Sequence, residues 1–148
     1  MNLNKLVLGC AQSDKNYGLK KNNKFEGVLV QAQKTGIKNF DTSNDYKNSS
    51  IYINRFFKRN INLISKINCN YPFDSKFGNL VKDEISNLFE SHNVKEFYAI
   101  LIHDPLLPLN EKKSNVVKKI LNEYKKKKLI KKIGISVYTK FELENILK

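Results

Sequence analysis

Phe97-Tyr98-Ala99-Ile100-Leu101-Ile102 is an unbroken apolar run, closed by His103-Asp104-Pro105. An apolar stretch without alternation suits a strand buried on both faces, as in a parallel sheet. Pro105 and Pro108 forbid a helix directly after it. Helical spacing resumes from about Ser114 to Lys127, where Val117, Ile120, Leu121 and Tyr124 form one stripe. Ser114 is the expected N-cap. Lys125 to Lys128 suit the negative end of that helix and read as a solvated terminus. A further strand is expected at Ile133 to Val137, then a helix from Lys140 that still runs at Lys148.

Upstream, the same alternation holds. Leu3 to Gly9 reads as a first strand, followed by a polar loop from Cys10 to about Asn23. Phe25, Val28, Leu29 and Ala32 recur at helical spacing, and Gly36 stands where a helix C-terminal glycine belongs. A short strand is expected at Lys38 to Asp41. A helix from Ser50 to Phe57 would bury Tyr52, Ile53, Phe56 and Phe57. Ile61 to Ser65 reads as a third strand. Gly78 to His92 reads as a helix with Val81, Ile85, Leu88 and Phe89 on one face. Strand and helix thus alternate about five times, which means an α/β fold with a parallel sheet. Two architectures compete: an open five-stranded sheet, or about five units of a (β/α)8 barrel. A full barrel spends about 250 residues on eight units, so the 148 residues here fit about five.

The size suits a single domain with a real core. Hydrophobic residues make up 41% and charged residues 28%, a globular balance. The net charge of +13 raises nucleic acid as a partner. The way it is made argues against that: 25 of the basic residues are lysines, and only Arg55 and Arg59 are arginines. Base and phosphate readers favour the bidentate guanidinium. With 20 asparagines beside the lysines, the charge reads as compositional bias. No nucleic-acid partner is expected. A small basic binding module on an open α/β sheet is the competing class, and salt-dependent binding would mark it.

No apolar run approaches the roughly 18 residues of a membrane span, so no membrane role is expected. Leu6-Val7-Leu8 is too short for a secretory core. Leu8-Gly9-Cys10 has the outline of a lipoprotein site without that core. Cys10 and Cys69 lack metal-ligand spacing. They read as reduced, buried thiols of a cytoplasmic protein, and no metal is expected.

In parallel α/β folds, chemistry gathers at the carboxyl ends of strands. Three consecutive expected strands end in Asp41, Lys66 and His103, with Tyr46 in the loop after the first and Ser136 closing the fifth. Each fits a plainer role too. Asp41-Thr42 can cap a turn, Tyr46 can be a surface tyrosine, Lys66 is one lysine of many, and His103 can be a satisfied loop residue. His92, at the end of its helix, reads as structural.

Taken together, these stretches resemble the aldo-keto reductases. Leu6 to Leu19 (LVLGCAQSDKNYGL) resembles that family's opening strand and loop. Gly36 to Ser49 (GIKNFDTSNDYKNS) is similar to its Gly-Ile-x-x-x-Asp-Thr-x-x-x-Tyr-x-x-Ser signature. Ile64-Ser65-Lys66, Leu101 to Pro105 (LIHDP) and Ile130 to Tyr138 (IKKIGISVY) resemble its third, fourth and fifth strands. The resemblance implies a partial TIM (β/α)8 barrel, about five N-terminal units in one domain over residues 1–148. It implies an oxidoreductase that reduces an aldehyde or ketone with NADPH.

By position, the catalytic set would be Asp41, Tyr46, Lys66 and His103. Tyr46 would donate the proton, with Lys66 lowering its pKa. Asp41 would hold Lys66, and His103 would hydrogen-bond the substrate carbonyl and orient it. Asp41 and Ser136 would touch the cofactor. Val137 stands where many members have asparagine. The family builds its 2′-phosphate pocket and substrate loop from later units, which this sequence lacks. The alternative expectation is therefore an inactive, truncated remnant without the C-terminal cofactor site. Five strands cannot close such a barrel and leave an open edge. A marginal or aggregation-prone chain is expected, completed by a homo-oligomer or a separate C-terminal half. The sequences after His103 and Gly134 resemble members associated with sugar and polysaccharide metabolism.

Overall fold

A computed structural model describes residues 5–13, 25–46, 48–57 and 60–147. The expected start of the first strand at Leu3, most of the loop to Asn23, the second part of the Leu6 to Leu19 resemblance, and Lys148 lie outside the described residues. So do Lys47 and Arg59. Five parallel strands stand in the order β1-β2-β3-β4-β5: β1 (Val7–Gly9), β2 (Asn39–Asp41), β3 (Asn62–Ile67), β4 (Phe97–Ile102) and β5 (Ile130–Ile135). Between and after them run α1 (Phe25–Thr35), α2 (Ser49–Phe56), α3 (Phe77–His92), α4 (Glu111–Lys126) and α5 (Lys140–Leu147). Every strand follows its neighbour in sequence, and the sheet does not close on itself. This is the α/β succession of a barrel taken through five units.

In-register neighbours share a face of the sheet, so the pairing separates two surfaces. Phe40 pairs with Leu63, Ser65 with Ile100 and Ile67 with Ile102. These side chains are buried, and all but Ser65 join the apolar core that the helices supply with Leu29, Ile53, Val81, Ile85, Leu88, Val117 and Leu121. On the other face, Asn39 pairs with Asn62, Asp41 with Ile64 and Lys66 with Leu101. That face is polar. Asn39 donates to the Leu6 carbonyl at 2.9 Å, and Asn62 donates to the Asn39 side chain at 2.8 Å.

Aromatic contacts tie the amino end of β4 to the helices. Phe97 meets the Phe89 ring edge-on at 5.0 Å and the His92 ring at 5.6 Å. Such pairs add about 0.5–1.5 kcal/mol each beyond their burial. The helix ends follow local chemistry. Gly36 sits at φ +75°, and Ile37 donates back to the Ala32 carbonyl, which closes α1 in a left-handed turn. Asn93 does the same for α3 at φ 51°. Helix α4 begins earlier than expected. Its N-cap is Asn110, whose side chain accepts from the Lys113 N–H at 3.1 Å, and not Ser114, which is buried inside the first turns.

His92 is 2% exposed, with Nδ1 3.1 Å from the Leu88 carbonyl oxygen. Burial pushes its pKa below the ordinary 6.5, and the Leu88 carbonyl opposes that in part. The folded chain thus binds this proton less readily than the unfolded chain. Stability contributed by the neutral ring is complete above about pH 6.5, the unfolded-state value. It falls below that by up to about 1.4 kcal/mol per pH unit until the folded-state pKa is passed. Melting temperatures taken between about pH 7.5 and 5.5 should decline in the natural chain. The decline should be shallower in His92→Leu, and equal slopes would refute the assignment.

Candidate active site

Register and side-chain reach bring the four candidate residues to the carboxyl end of the sheet. Asp41 is the last residue of β2, and Lys66 lies one residue before the end of β3. Strand β3 runs two residues beyond its expected end, because Lys66 and Ile67 pair with Leu101 and Ile102. Lys66 is only 6% exposed, and its ammonium group donates to Asp41 Oδ1 at 2.6 Å and to the Thr42 carbonyl at 3.1 Å. A buried cation needs such partners, since desolvation without them costs several kcal/mol.

Tyr46 is held over the same end by a tight turn. Its N–H donates to the Ser43 carbonyl at 3.1 Å, and its own carbonyl accepts from both the N–H and the hydroxyl of Ser49 at 2.9 Å. Ser49 opens α2 and contacts the Thr42 hydroxyl at 2.6 Å. The spacing of Asp41, Thr42, Tyr46 and Ser49 thus has a structural cause: the residues build one turn against one helix start. Within it, Lys66 Nζ lies 5.6 Å from the centre of the Tyr46 ring.

His103 follows β4, and its N–H continues the ladder to the Ile67 carbonyl at 3.0 Å. Its Nδ1 lies 3.4 Å from Asp45 Oδ2, and its Nε2 lies 3.2 Å from the Tyr138 hydroxyl. Ser136 follows β5 in the same way, donating its N–H to the Ile102 carbonyl at 2.9 Å. Asp41, Tyr46, Lys66, His103 and Ser136 therefore share one end of the sheet. Asp45 and Tyr138 are additions that sequence reasoning did not assign. Both stand inside the quoted stretches, but nothing in their spacing gave them a role.

A polar cleft of about 270 Å³ lies beside His103, lined also by Asn68, Asn70, Asp104 and Tyr138. A larger cleft of about 570 Å³, between Gly36, Arg55 and Phe57, lies at the opposite end and contains none of the candidate residues. Cys10 and Cys69 are buried, and burial pushes each thiol up to about 12. Neither thiol supplies a thiolate nucleophile at neutral pH. Among the described residues no helix is long and apolar enough to cross a membrane.

No family model and no curated protein matches the chain. Solved structures do. A Pseudomonas aeruginosa protein assigned to the aldo-keto reductases superposes with a TM-score of 0.70 at 17% identity, over 95% of this chain and 57% of the other. An aldo-keto reductase from Bacillus halodurans in its holo form gives a TM-score of 0.67 at 15% identity, over 96% and 49%. A mutant of Gox0644 in complex with NADPH gives 0.60 at 20% identity, over 95% and 48%. The chain spans about half the length of these structures. What it shares with them is the fold, and its open sheet corresponds to the N-terminal part of their barrels.

Proposed function

We propose that this chain carries the proton-transfer half of an NADPH-dependent carbonyl reductase site, with Tyr46 as proton donor. The observation that supports it is the Asp41–Lys66 pair at 2.6 Å, whose buried ammonium group lies 5.6 Å from the centre of the Tyr46 ring. A phenol is a reluctant acid near neutral pH. A fixed cation beside it favours the phenolate left after proton transfer. Asp41 keeps that cation in place. His103 meets the substrate through its ring and orients it, so that the carbonyl oxygen faces Tyr46.

The polar groups at this end of the sheet suit a nicotinamide cofactor. Asp41, whose side chain is 32% exposed, offers a carboxylate, and half-buried Ser136 offers a hydroxyl at the end of β5. Ser136 would meet the amide of a nicotinamide, and Asp41, three strands away, another part of the same cofactor. When bound, that cofactor supplies the hydride. The neighbour that holds NADPH shares this fold and adds support for the choice of cofactor.

The reading is tested by incubating the purified chain with NADPH and a panel of simple and sugar-derived aldehydes, and following NADPH absorbance. Carbonyl-dependent loss of absorbance is expected. A folded chain that consumes no NADPH with any carbonyl contradicts the reading.

A further inference from the structure

Six large apolar side chains gather on one part of the surface. Leu106 and Leu109 belong to the turn before α4, and Tyr138, Phe141, Leu143 and Leu147 lie at or on α5. Each is 45–76% exposed. The two groups adjoin, because α5 packs against the short turn Leu107–Leu109. No other part of the described surface gathers as many. Helix α5 buries none of its residues, and Leu143 and Leu147, one turn apart, form a stripe along it. Among the described residues β5 pairs only with β4, so the strand before α5 keeps a free edge as well. An apolar patch of this kind marks an interaction surface.

Charge decides what covers it. The chain carries +13, and α4 alone brings six lysines against two glutamates. An acidic partner is drawn to α4, away from the apolar stripe. Helix α5 is different: Lys140 stands beside Glu142 and Glu144, and Lys140 pairs with Glu144 at 3.4 Å. On β5, Lys131 pairs with Glu96 at 2.8 Å, and Lys132 Nζ lies 5.2 Å from the centre of the Tyr98 ring. Two copies can therefore meet through α5 with most of their positive charge outside the contact. A short helix with both signs is also self-complementary across a two-fold axis, where the lysine of one copy answers the glutamates of the other. A standard interface buries about 800 Å² per partner, and the six exposed side chains supply area of that order.

We propose that a second copy of this chain covers the patch, in a two-fold dimer built on Phe141, Leu143 and Leu147 of α5. Each α5 then lies against its own counterpart, with Leu106 and Leu109 at the margin of the contact. Tyr138 belongs to the patch and also to the cleft beside His103, so the second copy borders that cleft. The inference stands on the surface alone and does not depend on the reductase reading.

The test is the mass in solution, by light scattering over a dilution series at about 0.15 M salt, where surface charges are screened beyond about 8 Å. The natural chain should show twice 17.2 kDa and dissociate on dilution. Leu143→Glu and Leu147→Glu should each raise the dimer dissociation constant by about tenfold or more, since each buries a charge in the contact. Leu147→Ser, which adds no charge, should do so too, and serves if the acid loosens the helix. Ile51→Glu, at a 64% exposed position on α2, should leave the dimer as it was. Far-UV circular dichroism shows that each variant is folded. A single-chain mass at every dilution would overturn the proposal and leave the patch to a different polypeptide. So would assemblies larger than two, a dimer indifferent to all three α5 variants, or one that Ile51→Glu dissociates equally.

Discussion

Tyr46→Phe should lower carbonyl-dependent NADPH consumption by about 10²–10⁴-fold, the usual worth of a placed general acid. The substitution removes one oxygen and keeps the ring that lies 5.6 Å from Lys66 Nζ. The turn around it is held by backbone groups of Tyr46, through Ser43 and Ser49, and these are untouched. The variant should therefore fold and bind cofactor. Loss concentrated in kcat would place the hydroxyl in the transition state. A loss below about threefold would show that the proton comes from elsewhere, and Tyr138, next to His103, would be the phenol to replace next.

Asp41→Ala should destabilise the chain by about 2–3 kcal/mol, more than Lys66→Met does. Removing one partner of a buried pair costs about 3–5 kcal/mol, because the other charge is left without compensation. Asp41 is 32% exposed on its side chain, so water offsets part of that here. Lys66, at 6% exposure, would keep only the Thr42 carbonyl at 3.1 Å. Lys66→Met instead removes the buried charge and leaves a carboxylate that can hydrate, at an expected cost of about 1–2 kcal/mol. For a chain of this size, Asp41→Ala corresponds to a fall in melting temperature of roughly 5–10 °C. Equal or reversed losses for the two variants would mean that the pair is not what keeps Lys66 folded inward.

The sheet was legible where both faces of a strand carry information. Strand β4 has the expected bounds at Phe97 and Ile102, since its apolar side chains have partners on each side. Strand β5 was misplaced for the opposite reason. It begins at Ile130, earlier than Ile133, and includes Lys131 and Lys132, which are exposed. No apolar pattern marks a strand whose side chains face solvent, and only pairing with β4 reveals it. The α4 start was misread because Ser114 and Asn110 are both good N-caps by type, and proximity to the apolar stripe favoured the wrong one.

The site shows the same division. Asp41, Lys66 and His103 could be read because strand ends converge in any parallel sheet. Asp45 could not, because its partner His103 is remote in sequence, and a loop aspartate beside a serine looks like turn chemistry. It does make that turn, through Ser43, and the turn is what aims it. Tyr138 depends on a capping box in α5 that needed Glu142 to be read together with Thr139. The asparagine pair on the inner face was also hidden, because asparagines 39 and 62 pass for loop residues until the β2–β3 register aligns them.

The central claim is that this end of the sheet receives a reduced nicotinamide cofactor. The most direct test is a fluorescence titration of the purified chain with NADPH, in which the absence of tryptophan leaves the cofactor's emission undisturbed. The account predicts saturable binding that weakens in Asp41→Ala and in Ser136→Ala, measured on samples shown to be folded. A folded chain whose signal rises only linearly with NADPH, with no saturation and no difference between variants, would contradict it.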